Sequence, residues 1–240
     1  MAEPCVIIVA AGSGTRFGTG LPKQYCKLKG KPVLMHTVES FRKALPNAEI
    51  CLVISSDMAD YWQELCERHQ FTSPRTVPGG ATRTRSVENA LNAAAEISAD
   101  TAVLIHDGAR PLISPELIRR VVKGLEAEIK NAADADSVPG IIPVTEVTDS
   151  LQQVNEDGTL TAVDRSRFRA VQTPQAFTAG AMRRAYTNYN NLPHSFTPTD
   201  DASLCAAAGT VIKFVPGEVT NIKITNPRDL LIAEVLSESE

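Results

Sequence analysis

CVIIVAAGSGTRFGTGLPKQ, residues 5–24, sets an apolar run directly against a glycine-rich loop. Val6, Ile7, Ile8 and Val9 follow one another without polar alternation, the pattern of a strand covered on both faces, as in a parallel sheet. Outward from it the pattern recurs at 49–55, 75–79, 101–107, 138–144 and 210–215. Between these runs, 32–45, 58–70, 82–97, 115–130 and 179–189 carry helical spacing of apolar residues. Ser114-Pro115-Glu116 supplies an N-cap serine and a proline at the first helical position, and Asn226-Pro227 repeats the device for a last helix. Strands alternating with helices predict an α/β fold with a mostly parallel, doubly wound sheet and helices on both faces. No repeat, low-complexity tract or linker divides the chain, so 1–240 reads as one domain.

One segment breaks the rhythm. Residues 147–164 alternate on either side of Asn155-Glu156-Asp157-Gly158, a hairpin turn signal. An isolated two-stranded hairpin is marginal in water, so this one packs on something: its own domain or the same hairpin of a second subunit.

The 240 residues are 43% hydrophobic and 22% charged, with a formal net charge of -4. That balance offers no global positive field for nucleic acid, so an anion site has to be built locally. The first residues lack a basic n-region, and no run reaches the ~20 apolar residues a membrane span needs. A cytoplasmic protein is expected. Cys5, Cys26, Cys51, Cys66 and Cys205 form no CxxC pair, which argues against a disulfide framework or a zinc site and for free thiols in a reducing compartment.

What the opening loop lacks narrows its ligand. A dinucleotide fingerprint needs glycine at position 17, which is Phe17, and no GxxxxGK[ST] is present. What stands there is Gly12-x-Gly14-x-Arg16, then Lys23. Glycines let backbone amides approach an anion, and two cations suit a polyphosphate better than a single bridging pyrophosphate. The plainer alternative is a surface turn with two solvated cations.

His106-Asp107-Gly108-Ala109-Arg110 follows an apolar run at the end of the sheet where α/β proteins bind ligands. Asp107 suits orienting a hydroxyl or holding a hydrated metal, and Arg110 suits a phosphate, unless the two only fix their loop. His106 is either packed or catalytic. In Gly79-Gly80-Ala81-Thr82-Arg83-Thr84-Arg85-Ser86, backbone amides and the Ser86 hydroxyl suit a nucleobase edge, with Arg83 near for phosphate and Thr82 or Thr84 as a helix cap. Lys223, between Ile222 and Ile224, is either an edge residue of a strand or a cation held for an anion. Asp164-Arg165, Gln172-Thr173-Pro174-Gln175 and Thr199-Asp200-Asp201 are modest signals singly. No Ser-His-Asp or Cys-His set is apparent.

Taken in order, AAGSGTRF…LPKQY, GGATRTRSV, HDGARP, TPQAF, TDDAS and GEVTNIKIT resemble the motifs of the 2-C-methyl-D-erythritol 4-phosphate cytidylyltransferases, over about residues 5–235. The resemblance implies a magnesium-dependent transfer of CMP from CTP to methylerythritol 4-phosphate, with release of pyrophosphate. It implies a Rossmann-like domain whose β-arm, about 145–168, interlocks two subunits of a homodimer. By position, Arg16, Lys23 and Lys223 match the residues that stabilise the transition state, the first two by holding the triphosphate. Ala10, Ala11, Gly12, Gly80 and Ser86 match the cytidine positions, with Gly14, Arg83 and Asp107 beside them on the CTP side. Asp107, Arg110 and Lys223 match substrate positions near the reacting centre, and Arg165, assisted by Thr199, matches a residue reaching across the dimer to the substrate phosphate. Magnesium is expected to ride mainly on the CTP phosphates, near Asp107. No nucleic acid or membrane partner is expected.

Two positions depart from the pattern: Val9 where relatives often have Pro, and Ala81 where some have Asp. A phosphate nucleophile is already ionised near neutral pH, so the reaction requires no general base. Ribitol-5-phosphate cytidylyltransferases share the loop, TPQ and NIKIT motifs, but Gly108-Ala109 and Ser203 stand where they usually have Ser-Val and often Cys. A CTP-binding sensor without turnover would not need Arg16, Lys23 and Lys223 together. A nicotinamide-dependent oxidoreductase is undercut by Phe17.

Overall fold

Alternate residues of the first strand feed two different cores. In the computed structural model, which describes residues 2–12, 20–134, 137–189 and 196–238, β1 (Cys5–Ala10) turns Val6, Ile8 and Ala10 to one side and Cys5 and Ile7 to the other. The first side is covered by α1 (Val33–Ala44), α2 (Ala59–Arg68) and α4 (Pro115–Asn131). The second is covered by α3 (Arg83–Ala93), α5 (Ala179–Asn188) and α6 (Asp201–Ala207). Fully burying a side chain such as Phe41 or Phe177 contributes about 1.5–3 kcal/mol, so each face carries several such anchors.

Two short strands, β2 (Lys27–Leu28) and β3 (Lys31–Pro32), make a small ribbon ahead of α1. The main sheet joins β4 (Glu49–Ile54), β5 (Arg75–Pro78), β6 (Ala102–Asp107), β7 (Gly140–Glu146), β10 (Arg169–Val171), β11 (Gln175–Thr178) and β12 (Ile212–Pro216) to β1. Its order is β7-β11-β6-β1-β4-β5, with β10 beside the far end of β7 and β12 parallel to β7 on the opposite edge. Strands β5, β4, β1 and β6 are mutually parallel, whereas β11 runs antiparallel between β6 and β7. The expected parallel core is present, and the whole sheet is mixed. Gly140 opens β7 because nothing larger fits: an added Cβ would stand 2.2 Å from the Phe177 ring.

The caps expected from sequence form. Ser114 accepts from the Leu117 amide, Thr82 rather than Thr84 caps α3, and Asn226 builds a capping box for α7 (Pro227–Leu236). Strand β11 and helix α6 had no clear sequence signal. The hairpin does form: β8 (Gln152–Val154) pairs with β9 (Leu160–Ala162) as a separate two-stranded sheet, and every residue in the two strands is exposed.

None of the five cysteines is in a disulfide, and burial pushes the Cys5 and Cys51 thiols up to about 12 and about 11. Among the described residues, no helix is long and apolar enough to cross a membrane.

Candidate active site

The site lies at the carboxyl ends of β1 and β6, where the strand order leaves a crevice. At the end of β1, the buried Gln24 amide donates to Ala10 O at 2.6 Å and to Gly12 O at 2.9 Å. It thereby fixes the exit of the strand, and Ala10, Ala11, Gly12 and Lys23 all line one cavity of about 450 Å³. Gly14 and Arg16 lie outside the described residues. The opposite wall comes from the turn before α3. Gly79 packs so closely on Ala11 that an added Cβ would meet that side chain at 2.2 Å. The Gly80 amide donates to Ser86 Oγ at 3.0 Å, and Ser86 Oγ donates to Thr82 O at 2.9 Å. The Ser86 hydroxyl therefore shapes the wall that it helps to line.

At the end of β6, His106 is packed. Thr173 Oγ1 accepts from the Asp107 amide at 3.1 Å and lies 3.0 Å from His106 Nδ1, while His106 Nε2 lies 3.3 Å from Arg110 O. The hydroxyl then donates to Nδ1, which places the ring proton on Nε2. Burial pushes the imidazole down to about 3, so the ring is neutral at ordinary pH. Nothing about it suits proton transfer to a ligand.

Asp107 gathers three cations. Lys223 Nζ lies 2.8 Å and Arg110 Nε 3.6 Å from Oδ2, and Arg83 Nε lies 3.4 Å from Oδ1. Burial works to raise the Asp107 carboxyl, but these cations outweigh it and hold it well below the usual carboxylate range. Lys223 does not sit in a strand. Its loop is stitched down by Gln172, whose amide donates to Glu218 O at 2.7 Å, and by buried Asn221, which donates to Thr173 O at 3.0 Å. Arg110 Nη1 completes the seam by donating to Asn221 O at 2.7 Å.

Arg83, Asp107 and Lys223 line a second cavity as well, of about 300 Å³, together with Arg110, Thr199 and Asp200. The structure thus brings together every proposed site residue among the described ones except Arg165. That residue lines neither cavity and donates to Thr148 O beside the hairpin. Tyr186, whose hydroxyl donates to buried Asp201 at 2.7 Å behind Arg83, carried no sequence signal, since a buried phenol is defined by partners distant in the chain.

Two adjoining cavities that share one carboxylate and two of its cations, Arg83 and Lys223, suit two anionic reactants brought into contact: repulsion between them is screened by fixed charge, without a nucleophilic side chain.

Comparisons with known proteins point the same way. The model of the family described as IspD, 2-C-methyl-D-erythritol 4-phosphate cytidylyltransferase, matches residues 4–239. A protein of that name from Bacteroides thetaiotaomicron is 41% identical over 234 residues, 96% of this chain and 98% of its own. The crystal structure of 4-diphosphocytidyl-2C-methyl-D-erythritol synthase from Anaerococcus prevotii superposes with a TM-score of 0.79 at 28% identity, covering 98% of this chain and 95% of that one. The 2-C-methyl-D-erythritol 4-phosphate cytidylyltransferase of Thermus thermophilus superposes with a TM-score of 0.73 at 29% identity, covering 99% and 100%.

Proposed function

The chain belongs to the 2-C-methyl-D-erythritol 4-phosphate cytidylyltransferase family, and from that premise we propose how its residues divide the work. It is a cytidylyltransferase that moves CMP from CTP to 2-C-methyl-D-erythritol 4-phosphate, giving 4-diphosphocytidyl-2-C-methyl-D-erythritol and pyrophosphate for non-mevalonate isoprenoid synthesis. The observation that carries the assignment of residues is the wall of Arg83, Asp107 and Lys223 common to both cavities.

The larger cavity takes CTP. Backbone groups of Ala10, Ala11, Gly12 and Gly80 meet the cytidine, in a turn kept in shape by Ser86, and Lys23 meets the triphosphate, joined by Arg16 and Gly14. The smaller cavity takes the phosphorylated polyol: Asp107 orients a hydroxyl, Arg110 and Lys223 face its phosphate, and Thr199 assists there. A substrate phosphate oxygen attacks the α-phosphorus in line, and pyrophosphate leaves. Charge growing on the α-phosphate oxygens is met by Lys23, Arg16 and Lys223.

Magnesium or another divalent cation belongs to the same reading. Among the described residues no group of three or more His, Cys, Asp or Glu is poised to hold a metal, and Asp107 is the carboxylate common to both cavities. The CTP phosphates would supply most of the ion's donors, with Asp107, whose oxygens already pair with Arg83, Arg110 and Lys223, beside them. The ion would neutralise part of the triphosphate charge. We assign 1–240 to one nucleotidyltransferase domain in the cytoplasm, as five cysteines without a disulfide favour, and 145–168 to the arm of a homodimer that brings Arg165 to the partner's substrate.

The test is pyrophosphate release from CTP and Mg²⁺ with methylerythritol 4-phosphate and, separately, ribitol 5-phosphate. Release with the first alone is the expected result. Release with the second alone would reassign the smaller cavity, and CTP binding without release under either condition would make the protein a sensor.

A further inference from the structure

The carboxylate that steadies Arg83 stands behind the site. Asp201, the first residue of α6, is 1% exposed and lines neither cavity. Its Oδ1 accepts from the Tyr186 hydroxyl of α5 at 2.7 Å, and its Oδ2 lies 2.7 Å from Arg83 Nη2. Arg83 is therefore held at both ends, by Asp201 through Nη2 and by Asp107 through Nε.

A buried carboxylate carries a large desolvation cost, which docking of α6 alone does not explain. That helix has its own capping box from Asp200 and Ser203. Gln175 anchors it further, donating to Asp200 Oδ2 at 2.7 Å and accepting from the Ala202 amide at 2.9 Å. Asp201 adds to these a charge aimed at a guanidinium in the wall shared by both cavities.

The wall itself shows why such a tether matters. Arg83, Arg110 and Lys223 surround Asp107, and Arg83 also borders the larger cavity. An untethered guanidinium beside a bound polyphosphate swings to the stronger anion. It would then give up Asp107 Oδ1, and the carboxylate would turn with the two cations left on Oδ2.

We propose that Asp201, oriented by Tyr186, is a positioning residue for the transfer step: it pins Arg83 against Asp107 and so fixes the carboxylate and Lys223 relative to both reactants. The proposal rests on the reading of the shared wall as the reacting site. Its signature is a loss in kcat with little change in KM, because the cavities stay intact while the alignment of charge in the transition state does not.

Steady-state pyrophosphate release with CTP and methylerythritol 4-phosphate, measured on five proteins, tests it: the parent, Asp201→Asn, Tyr186→Phe, Arg83→Gln and the Asp201→Asn/Arg83→Gln double variant. Asp201→Asn keeps the shape and removes the charge; kcat is expected to fall about 10- to 100-fold, with both KM values within about threefold. Tyr186→Phe removes one hydrogen bond and is expected to lower kcat about three- to tenfold. In the Arg83→Gln background, Asp201→Asn is expected to cost nothing further, since the tether then has no load. Equal losses from Asp201→Asn in both backgrounds, or losses that only track the folded fraction in thermal unfolding, would overturn the proposal. If Asp201→Asn does not fold, Tyr186→Phe decides, and an unchanged kcat overturns it. A parent inactive with methylerythritol 4-phosphate refutes the underlying assignment instead, so the two failures are distinct.

Discussion

Around Asp107, the chain satisfies its own charges. Arg83, Arg110 and Lys223 converge on one carboxylate, and Asn221, Gln172 and Thr173 hold the loops that carry them. The β8–β9 hairpin is the opposite case. Val154 is 69% and Leu160 62% exposed, and Asn155 bonds only locally, to Thr159 and Thr161 of the same hairpin. A preorganised polar site pays for its order within the fold, whereas an apolar hairpin in water needs a surface from elsewhere. The first region is held by contacts within the fold, and the second leaves its apolar side chains in water.

Breaking the first region should separate activity from stability. Lys223→Ala removes a cation from the shared wall and is expected to cost about 3 kcal/mol of transition-state stabilisation, or about 100-fold in kcat/KM. Because that side chain is 40% exposed, its melting temperature is expected to stay near the parent's. A large drop in melting temperature with unchanged kcat/KM would reverse the comparison. In the second region, a Val154→Asp/Leu160→Asp pair is expected to move the protein in sedimentation to the monomer mass of 25.8 kDa. The KM for the phosphorylated substrate should rise about 10- to 100-fold with it, the value of a charge-assisted contact from Arg165. An unchanged mass would return the hairpin to its own domain.

Acid sharpens the contrast further. His106 is neutral in the fold, pushed down to about 3 from 6.5, so the unfolded chain binds a proton that the folded chain refuses. Stability from this residue is whole above 6.5 and declines as pH falls from there toward 3. Asp107, held low, adds its loss only below its ordinary 3.8. Urea midpoints measured from pH 7 to 4 are expected to fall, and His106→Gln is expected to flatten that slope. The smallest effect belongs to a cap: Thr82→Ala removes the acceptor for the Arg85 amide and is expected to cost about 1 kcal/mol in the same assay.

Much of this architecture was legible in the chain. The runs at β1, β4 and β6 are buried on both faces and need no alternation to declare themselves, and the Ser114 and Asn226 caps sit where local chemistry puts them. Strand β11 was not, because Gln175-Ala176-Phe177-Thr178 mixes polar and apolar residues. Its polar members are buried for reasons outside the strand: Gln175 holds α6 and Thr178 caps α5. The site divides similarly. Gly12, Gly80, Asp107 and Lys223 stand in short motifs, but the sharing of Asp107 by Arg83, Arg110 and Lys223 depends on tertiary contacts that spacing does not encode. Lys223 read equally well as a strand edge, and only the seam through Gln172 and Asn221 resolves it.

The wall common to the two cavities carries one more consequence. With Arg83 held by Asp201, a nucleotide that drew Lys223 toward its phosphates would alter the field in the neighbouring cavity before any polyol arrived. Thermodynamic reciprocity then requires the polyol to change the affinity for nucleotide by the same factor. On the proposed assignment of the two cavities, the two binding equilibria would be linked through Asp107, the carboxylate that lines both.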